Sequence, residues 1–176
     1  MQSKVIYVAR DNSLTKLYCS KYNRYVVEYI IEYTGARSVY DPMTGTNYIT
    51  NIFTNAVGSD ITKQYVLYRR NFFIADAKCR AVRAKSFDLV IFSPPYPAKR
   101  GVRSVSKYNP YWFTFIYEIV REMSKVARKY VAVYVRLTEK QLHRLIFLLQ
   151  TIGQVEVIRF RVGKKEDQVI LVRIKL

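Results

Sequence analysis

Acidic residues are scarce in this 176-residue chain: 13 Asp and Glu stand against 30 Lys and Arg, a formal net charge of +17 at pH 7. The basic residues are spread along the whole chain, which excludes a neutral domain with one basic tail and implies a folded body with a positive surface. A field of that sign attracts polyanions and speeds their encounter, so nucleic acid is the first partner expected and an anionic membrane surface the second. Only two cysteines occur, Cys19 and Cys79, far apart and without a histidine pair nearby. That excludes a disulfide framework and a zinc site, and both read as packing residues; no metal is expected. The single histidine, His143, falls in a helical stretch and reads as a helix-surface residue without a catalytic role. Long apolar runs are missing too, since a charged residue interrupts every hydrophobic stretch, including the longest around Leu145 to Leu149. A helical membrane span needs about 18 such residues and is not expected. The N-terminal Met1-Gln2-Ser3-Lys4 leads directly into a strand-like run and lacks the pattern of a secretory signal, so the expected location is the cytoplasm.

What the chain does have is a hydrophobic half, 50% of its residues, enough for one substantial core and too little for two ordinary domains. A single domain over residues 1–176 is expected, with no separate target-recognition domain. No repeat or low-complexity segment interrupts it. Strand-like and helix-like periods alternate, the pattern of an α/β sheet wrapped by helices. Strands are predicted at 4–9, 36–40, 56–60, 71–75, 87–92 and 130–136, and helices at 21–33, through 54, at 111–128 and at 138–151. The first helix stops at Thr34-Gly35. Two last strands, 154–162 and 167–176, are separated only by Gly163-Lys164-Lys165-Glu166. So short a connection cannot make a parallel crossover, so they should close the sheet as an antiparallel hairpin.

In open α/β sheets ligands bind beyond the carboxyl ends of the strands, and polar residues mark four of those ends: Asp41, Asp60, Asp76 and Ser93. Asp41 opens a turn containing Gly45, where the missing side chain lets a ligand approach the backbone and the next helix. Asp60 follows Asp41 by nineteen residues, near the spacing of about 20 at which a second-strand carboxylate receives ribose hydroxyls. The most apolar strand ends at Ser93-Pro94-Pro95-Tyr96, because the prolines lack N–H donors and cannot continue it.

Together these segments resemble the S-adenosylmethionine-dependent class I methyltransferases that act on amino groups of nucleobases. Asp41-Pro42-Met43-Thr44-Gly45-Thr46 resembles their first motif, Asp60 their second-strand acid, Asp76-Ala77 their third-strand acid and Ser93-Pro94-Pro95-Tyr96 their catalytic fourth motif. Order and spacing agree, and the similarity spans 21–176. The resemblance implies a Rossmann-like fold with a mostly parallel seven-stranded sheet, helices on both faces and the C-terminal hairpin. It implies that Asp41 and Gly45 line the methionine part of the cofactor, that Asp60 holds the ribose, that Asp76 meets the adenine amino group and that Pro42, Met43 and Ala77 also belong to the cofactor-binding set. The helix around Tyr22 to Ile31 resembles the family's additional cofactor-lining segment. One departure stands in the first motif, where Asn47 replaces a usual glycine; asparagine is among the few residues that tolerate positive φ.

The fourth motif answers a chemical problem. An exocyclic amine of cytosine or adenine is a poor nucleophile because its lone pair is delocalised into the ring. Ser93 Oγ and the Pro94 carbonyl can accept its two hydrogens and turn the nitrogen toward tetrahedral geometry, Pro95 fixes that carbonyl, and Tyr96 offers a face for a base taken out of its stack. Serine in the first position resembles the cytosine-directed branch, so the reading is cytosine methylation in DNA, with RNA or adenine as the alternative. Lys99, Arg100, Arg103 and Lys107 follow in a loop suited to tracking phosphates. Tyr111, Trp112 and Phe113 read as core rather than site. A homodimer or an accessory protein would supply target recognition, and the rival function is a non-catalytic nucleic-acid-binding protein on the same fold.

Overall fold

The computed structural model describes residues 5–8, 23–45, 48–62, 71–95 and 111–175. In chain order these form β1 (Val5–Val8), α1 (Arg24–Thr34), β2 (Val39–Asp41), α2 (Tyr48–Ile52), β3 (Ala56–Asp60), β4 (Phe72–Ile74), β5 (Phe87–Phe92), α3 (Tyr111–Val126), β6 (Ala127–Val135), α4 (Glu139–Leu149), β7 (Gly153–Val162) and β8 (Lys165–Ile174). The strands make one sheet in the order β1-β7-β8-β6-β5-β2-β3-β4. Only β8 runs against the others, paired antiparallel with β6 and β7. The hairpin expected at the C-terminus is therefore present, with Gly163 at φ +61 in its turn. Among the described residues the sheet has eight strands, not seven. The extra one is β1, which pairs in parallel with β7 from Val5↔Arg159 to Val8↔Val162 and extends the hairpin edge.

β5 is the centre of the core, and its side chains divide between the faces as pleating requires. Leu89 and Ile91 pack with Val26, Val27 and Ile30 of α1 and Ile49 of α2. Val90 and Phe92 pack on the opposite face with α3 and α4. Burial on both faces explains why this strand reads as a continuous apolar run.

The helices follow from local sequence. Asn23 caps α1, its side chain accepting from the Tyr25 N–H at 3.0 Å, and Gly35 ends the helix at φ +59, a left-handed conformation suited to glycine. Thr138 and Gln141 form a reciprocal capping box at the start of α4. In α3, Trp112, Ile116, Ile119, Val120, Met123 and Val126 recur at helical spacing and are all buried. Each such side chain contributes about 1.5–3 kcal/mol by burial. An exposed i,i+4 ion pair, such as Arg24 with Glu28 at 2.7 Å, contributes only about 0.3–0.5 kcal/mol. The apolar stripe, not surface charge, fixes the helix. β6 begins at Ala127 without a loop after α3, three residues before the expected start at 130.

Cys79 corrects the expectation of a packing residue, for it is exposed. It stands in the turn after β4, its N–H bonded to the Asp76 carbonyl at 2.9 Å, where the backbone bond and not the thiol is used. Cys19 lies outside the described residues. His143 is exposed on α4, as its helical position implies. No helix among the described residues is long and apolar enough to cross a membrane.

Candidate active site

Register aligns the polar strand ends on one edge of the sheet. Asp41 pairs with Gly58, so Asp60 lies two residues further along β3, and Asp60 pairs with Ile74, two residues before Asp76. On the other side of β2, Tyr40 pairs with Val90, three residues before Ser93. The order β5-β2-β3-β4 therefore sets Ser93, Asp41, Asp60 and Asp76 on neighbouring strands at the carboxyl edge. At about 4.8 Å between strands, the row spans roughly 14 Å.

Each acid shapes the backbone beside it. Asp41 is fully buried and its Oδ1 accepts from the Met43 N–H at 3.0 Å, closing the chain into a turn. The next N–H groups tie that turn to β3: Thr44 donates to the Ser59 carbonyl at 3.0 Å, and Gly45, at φ +52, donates to Asp60 Oδ2 at 2.9 Å. Asp60 Oδ1 accepts from the Thr62 N–H at 2.9 Å, so one carboxylate holds two turns. Asp76 Oδ1 accepts from the Lys78 N–H at 2.9 Å. Beneath these turns the Tyr40 hydroxyl and Ser59 Oγ share a buried hydrogen bond of 2.7 Å. Burial, aided by the Asp41 charge and opposed by the Ser59 bond, pushes the Tyr40 phenol up to about 12, so it stays protonated.

The partners of Asp60 and Asp76 matter in a chain with 30 cations. Glu28, Asp88, Glu118, Glu122, Glu139, Glu166 and Asp167 each pair with a Lys or Arg. Among the described residues no ion pair involves Asp60 or Asp76. An ionised carboxylate has about four acceptor positions. Two are engaged by backbone N–H groups at Asp60 and one at Asp76, which leaves capacity for hydroxyl or amino donors.

At the end of β5, Ser93 and Pro94 are buried and Pro95 is exposed. The Pro95 carbonyl accepts a 3.0 Å hydrogen bond from Trp112 Nε1 on the first turn of α3. Of the three aromatics expected in the core, Trp112 is 3% exposed and Phe113 packs against the core, but Tyr111 is exposed at the start of the helix; the Trp112 indole N–H also pins the chain just after Ser93-Pro94. Sequence reasoning left Trp112 out of the site. The signal was the residue type itself, since a buried tryptophan needs an acceptor for its N–H.

The structure thus gathers Asp41, Pro42, Met43, Gly45, Asp60, Asp76, Ala77, Ser93, Pro94 and Pro95 at one edge. Met43 and Ala77 pack their side chains with the α3-side core. Tyr96 of the fourth motif, Lys99, Arg100, Arg103 and Lys107 of the basic loop, and Asn47 of the first turn lie outside the described residues.

No protein-family model and no curated protein matches the sequence. Solved structures do match in shape. The methyltransferase domain of bacterial CtHen1-CN is similar at a TM-score of 0.61 and 10% identity, covering 85% of this chain and 96% of that one. Magnesium protoporphyrin IX methyltransferase from Synechocystis PCC 6803, solved with bound S-adenosylmethionine, gives 0.55 and 12%, covering 86% and 79%. The N-methyltransferase NodS from Bradyrhizobium japonicum WM9 gives 0.56 and 10%, covering 86% and 93%. At these identities what they share with this chain is the architecture: its fold is the Rossmann-like fold of class I S-adenosylmethionine-dependent methyltransferases.

Proposed function

We propose that this protein binds S-adenosylmethionine and methylates the exocyclic amino group of a nucleobase, cytosine in DNA before adenine or RNA. One observation carries the reading. Ser93 and Pro94 are buried at the end of β5, directly beside the strand whose end forms the Asp41 to Gly45 turn.

The residues present fit the cofactor. Gly45 is left-handed, and Asp60 and Asp76 retain acceptor capacity toward donors such as ribose hydroxyls and the adenine amino group. Asp41, Pro42, Met43 and Gly45 would line the methionine end, with Asp76 and Ala77 at the base. When bound there, S-adenosylmethionine supplies an electrophilic methyl group. The chain's own part is to hold the amine. Ser93 Oγ and the Pro94 carbonyl accept its two hydrogens and localise its lone pair, so no strong base is needed before transfer. Pro95, anchored through Trp112, keeps that pair of acceptors in place, and Tyr96 would stack on the extruded base. Lys99, Arg100, Arg103 and Lys107 would follow the phosphates, in keeping with the +17 charge.

The test is incubation with methyl-labelled S-adenosylmethionine and separate DNA and RNA pools, followed by digestion to nucleosides. Label on a cytosine amino nitrogen in DNA is the expected result. Label on adenine or in RNA would move the substrate and keep the reaction. Measured cofactor binding without label in any pool would favour a non-catalytic nucleic-acid-binding protein, or one that needs an accessory chain.

A further inference from the structure

The strand on the far side of β5 from the cofactor turn carries a second built feature. Phe92 pairs with Val133, so continuing the parallel register sets Ser93 level with Tyr134, Pro94 with Val135 and Pro95 with Arg136. Asp167, at the start of β8, is only 3% exposed and joins two of these residues. The Tyr134 hydroxyl donates to its Oδ2; Arg136 Nε donates to its Oδ1 at 2.7 Å, and Nη2 donates to the same oxygen. The backbone just after Arg136 is fixed as well. Leu137 N–H donates to Gln168 Oε1 at 2.8 Å, and Gln168 Nε2 donates to the Leu137 carbonyl at 3.1 Å.

Burying a carboxylate is costly, and a buried ion pair is often no more stabilising than apolar side chains of the same size. What the arrangement does provide is orientation. Two hydrogen bonds hold one side of the guanidinium, while the Arg136 side chain remains 49% exposed at the edge that holds Ser93. A planar, oriented guanidinium is the side chain best matched to a phosphate. The cofactor is a poor match for it, since S-adenosylmethionine carries a sulfonium, an ammonium and one carboxylate, a net positive charge and no phosphate. The Asp41 to Gly45 turn is on β2, two strands and roughly 10 Å away, with β5 between.

We infer that Arg136, set by Asp167 and Tyr134, is the contact for a phosphodiester of the substrate strand next to the target nucleotide. This rests on the proposed function in one respect, that a nucleobase is received at Ser93 and Pro94. The site adds to the basic loop a fixed anchor whose position relative to Ser93 is set by the sheet itself.

The experiment measures the affinity of a labelled single strand across a salt series for the wild type, R136Q, R136K and K125Q, together with cofactor affinity and melting temperature for each. Lys125, in the last turn of α3 at the opposite edge, controls for loss of charge alone. R136Q is expected to flatten the slope of log K against log salt by about 0.7, the value for one phosphate contact on a single strand, with cofactor affinity unchanged. R136K should keep most of the slope and bind several-fold more weakly, because it keeps the charge and loses the fork, while K125Q should match the wild type. A wild type that binds nucleic acid with a slope unmoved by R136Q overturns the assignment and leaves the proposed function standing, as does a loss of cofactor affinity in R136Q. A wild type that binds no nucleic acid overturns both.

Discussion

The two edges of the sheet use the same residue types for different ends. At the amino edge Asp88 is buried and surrounded by scaffold. Its Oδ2 accepts from the Arg37 N–H at 3.0 Å, its Oδ1 meets Arg128 Nη1 at 3.4 Å, and its own N–H donates to Ser38 Oγ at 3.0 Å. Arg128 Nε in turn donates to the Lys85 carbonyl at 2.8 Å, closing the junction between α3, β6 and β5. At the carboxyl edge Asp60 and Asp76 hold backbone turns and have no ion pair among the described residues. An acid that has both its backbone donors and its counter-charge within the fold completes a structure. An acid that orders a turn and keeps open acceptor positions can also receive a ligand. The comparison assigns the proposed function to one edge only, and it can be broken from either side.

The largest effects should come from a crossed pair of variants at the carboxyl edge. Ser93→Ala removes one acceptor for the amine and is expected to lower kcat roughly 10²–10³-fold with cofactor affinity nearly unchanged, the scale seen when a single preorganised polar contact to a reacting group is lost. Asp60→Asn keeps one acceptor oxygen, sets an NH2 against one of its two backbone donors and removes the charge. It is expected to weaken cofactor binding about 10–100-fold, the equivalent of one hydrogen bond to a charged group. Calorimetric cofactor titration and initial rates at saturating cofactor separate the two. Equal loss of binding and turnover in Ser93→Ala would take Ser93 away from the substrate, and unaltered affinity in Asp60→Asn would take Asp60 out of the ribose site.

Trp112→Phe sharpens the comparison at the point where core and site meet. It keeps an aromatic ring in the core, removes the N–H that holds the Pro95 carbonyl and shortens the buried side chain by the rest of the indole. Stability should fall by about 1–3 kcal/mol, from the lost hydrogen bond and the lost packing together, and kcat by roughly tenfold, with cofactor affinity intact. A kcat equal to the wild type would mean that the two prolines alone position Ser93 and Pro94.

Much of this is legible in the sequence, for identifiable reasons. β5 was read at its observed bounds because an apolar run buried on both faces and ended by two prolines leaves no alternative. Gly35 and the hairpin after β7 were legible because left-handed turns and short connections have few solutions. The four polar strand ends were found because each sits where a strand period breaks. The strand count was not, since whether 4–9 joins the sheet depends on pairing with β7, more than 150 residues away in sequence. Cys79 was misplaced because a lone cysteine carries no period to show which way it points. The roles proposed for Trp112 and Arg136 were hidden for a related reason. Both act through partners distant in sequence, Pro95 and Asp167, and neither spacing announces itself along the chain.

The smallest expected effect tests the amino edge. Burial pushes the Asp88 carboxyl up, but the Arg37 N–H, the nearby Lys129 charge and the Arg128 guanidinium outweigh it and hold it below the ordinary carboxylate range. Because the folded value is depressed, the stabilisation is fully present above the unfolded value near 4 and is lost as pH falls through the folded one. Asp88→Asn should therefore cost about 1.5 kcal/mol in urea unfolding at pH 7, with the two stability curves converging in acid once the wild-type carboxyl is protonated. Methyl transfer by the folded variant should equal that of the wild type, because no ligand is expected at that edge. A variant that stays folded and loses methyl transfer would show that the amino edge communicates with the site, and the division between a closed edge and a receptive one would fail.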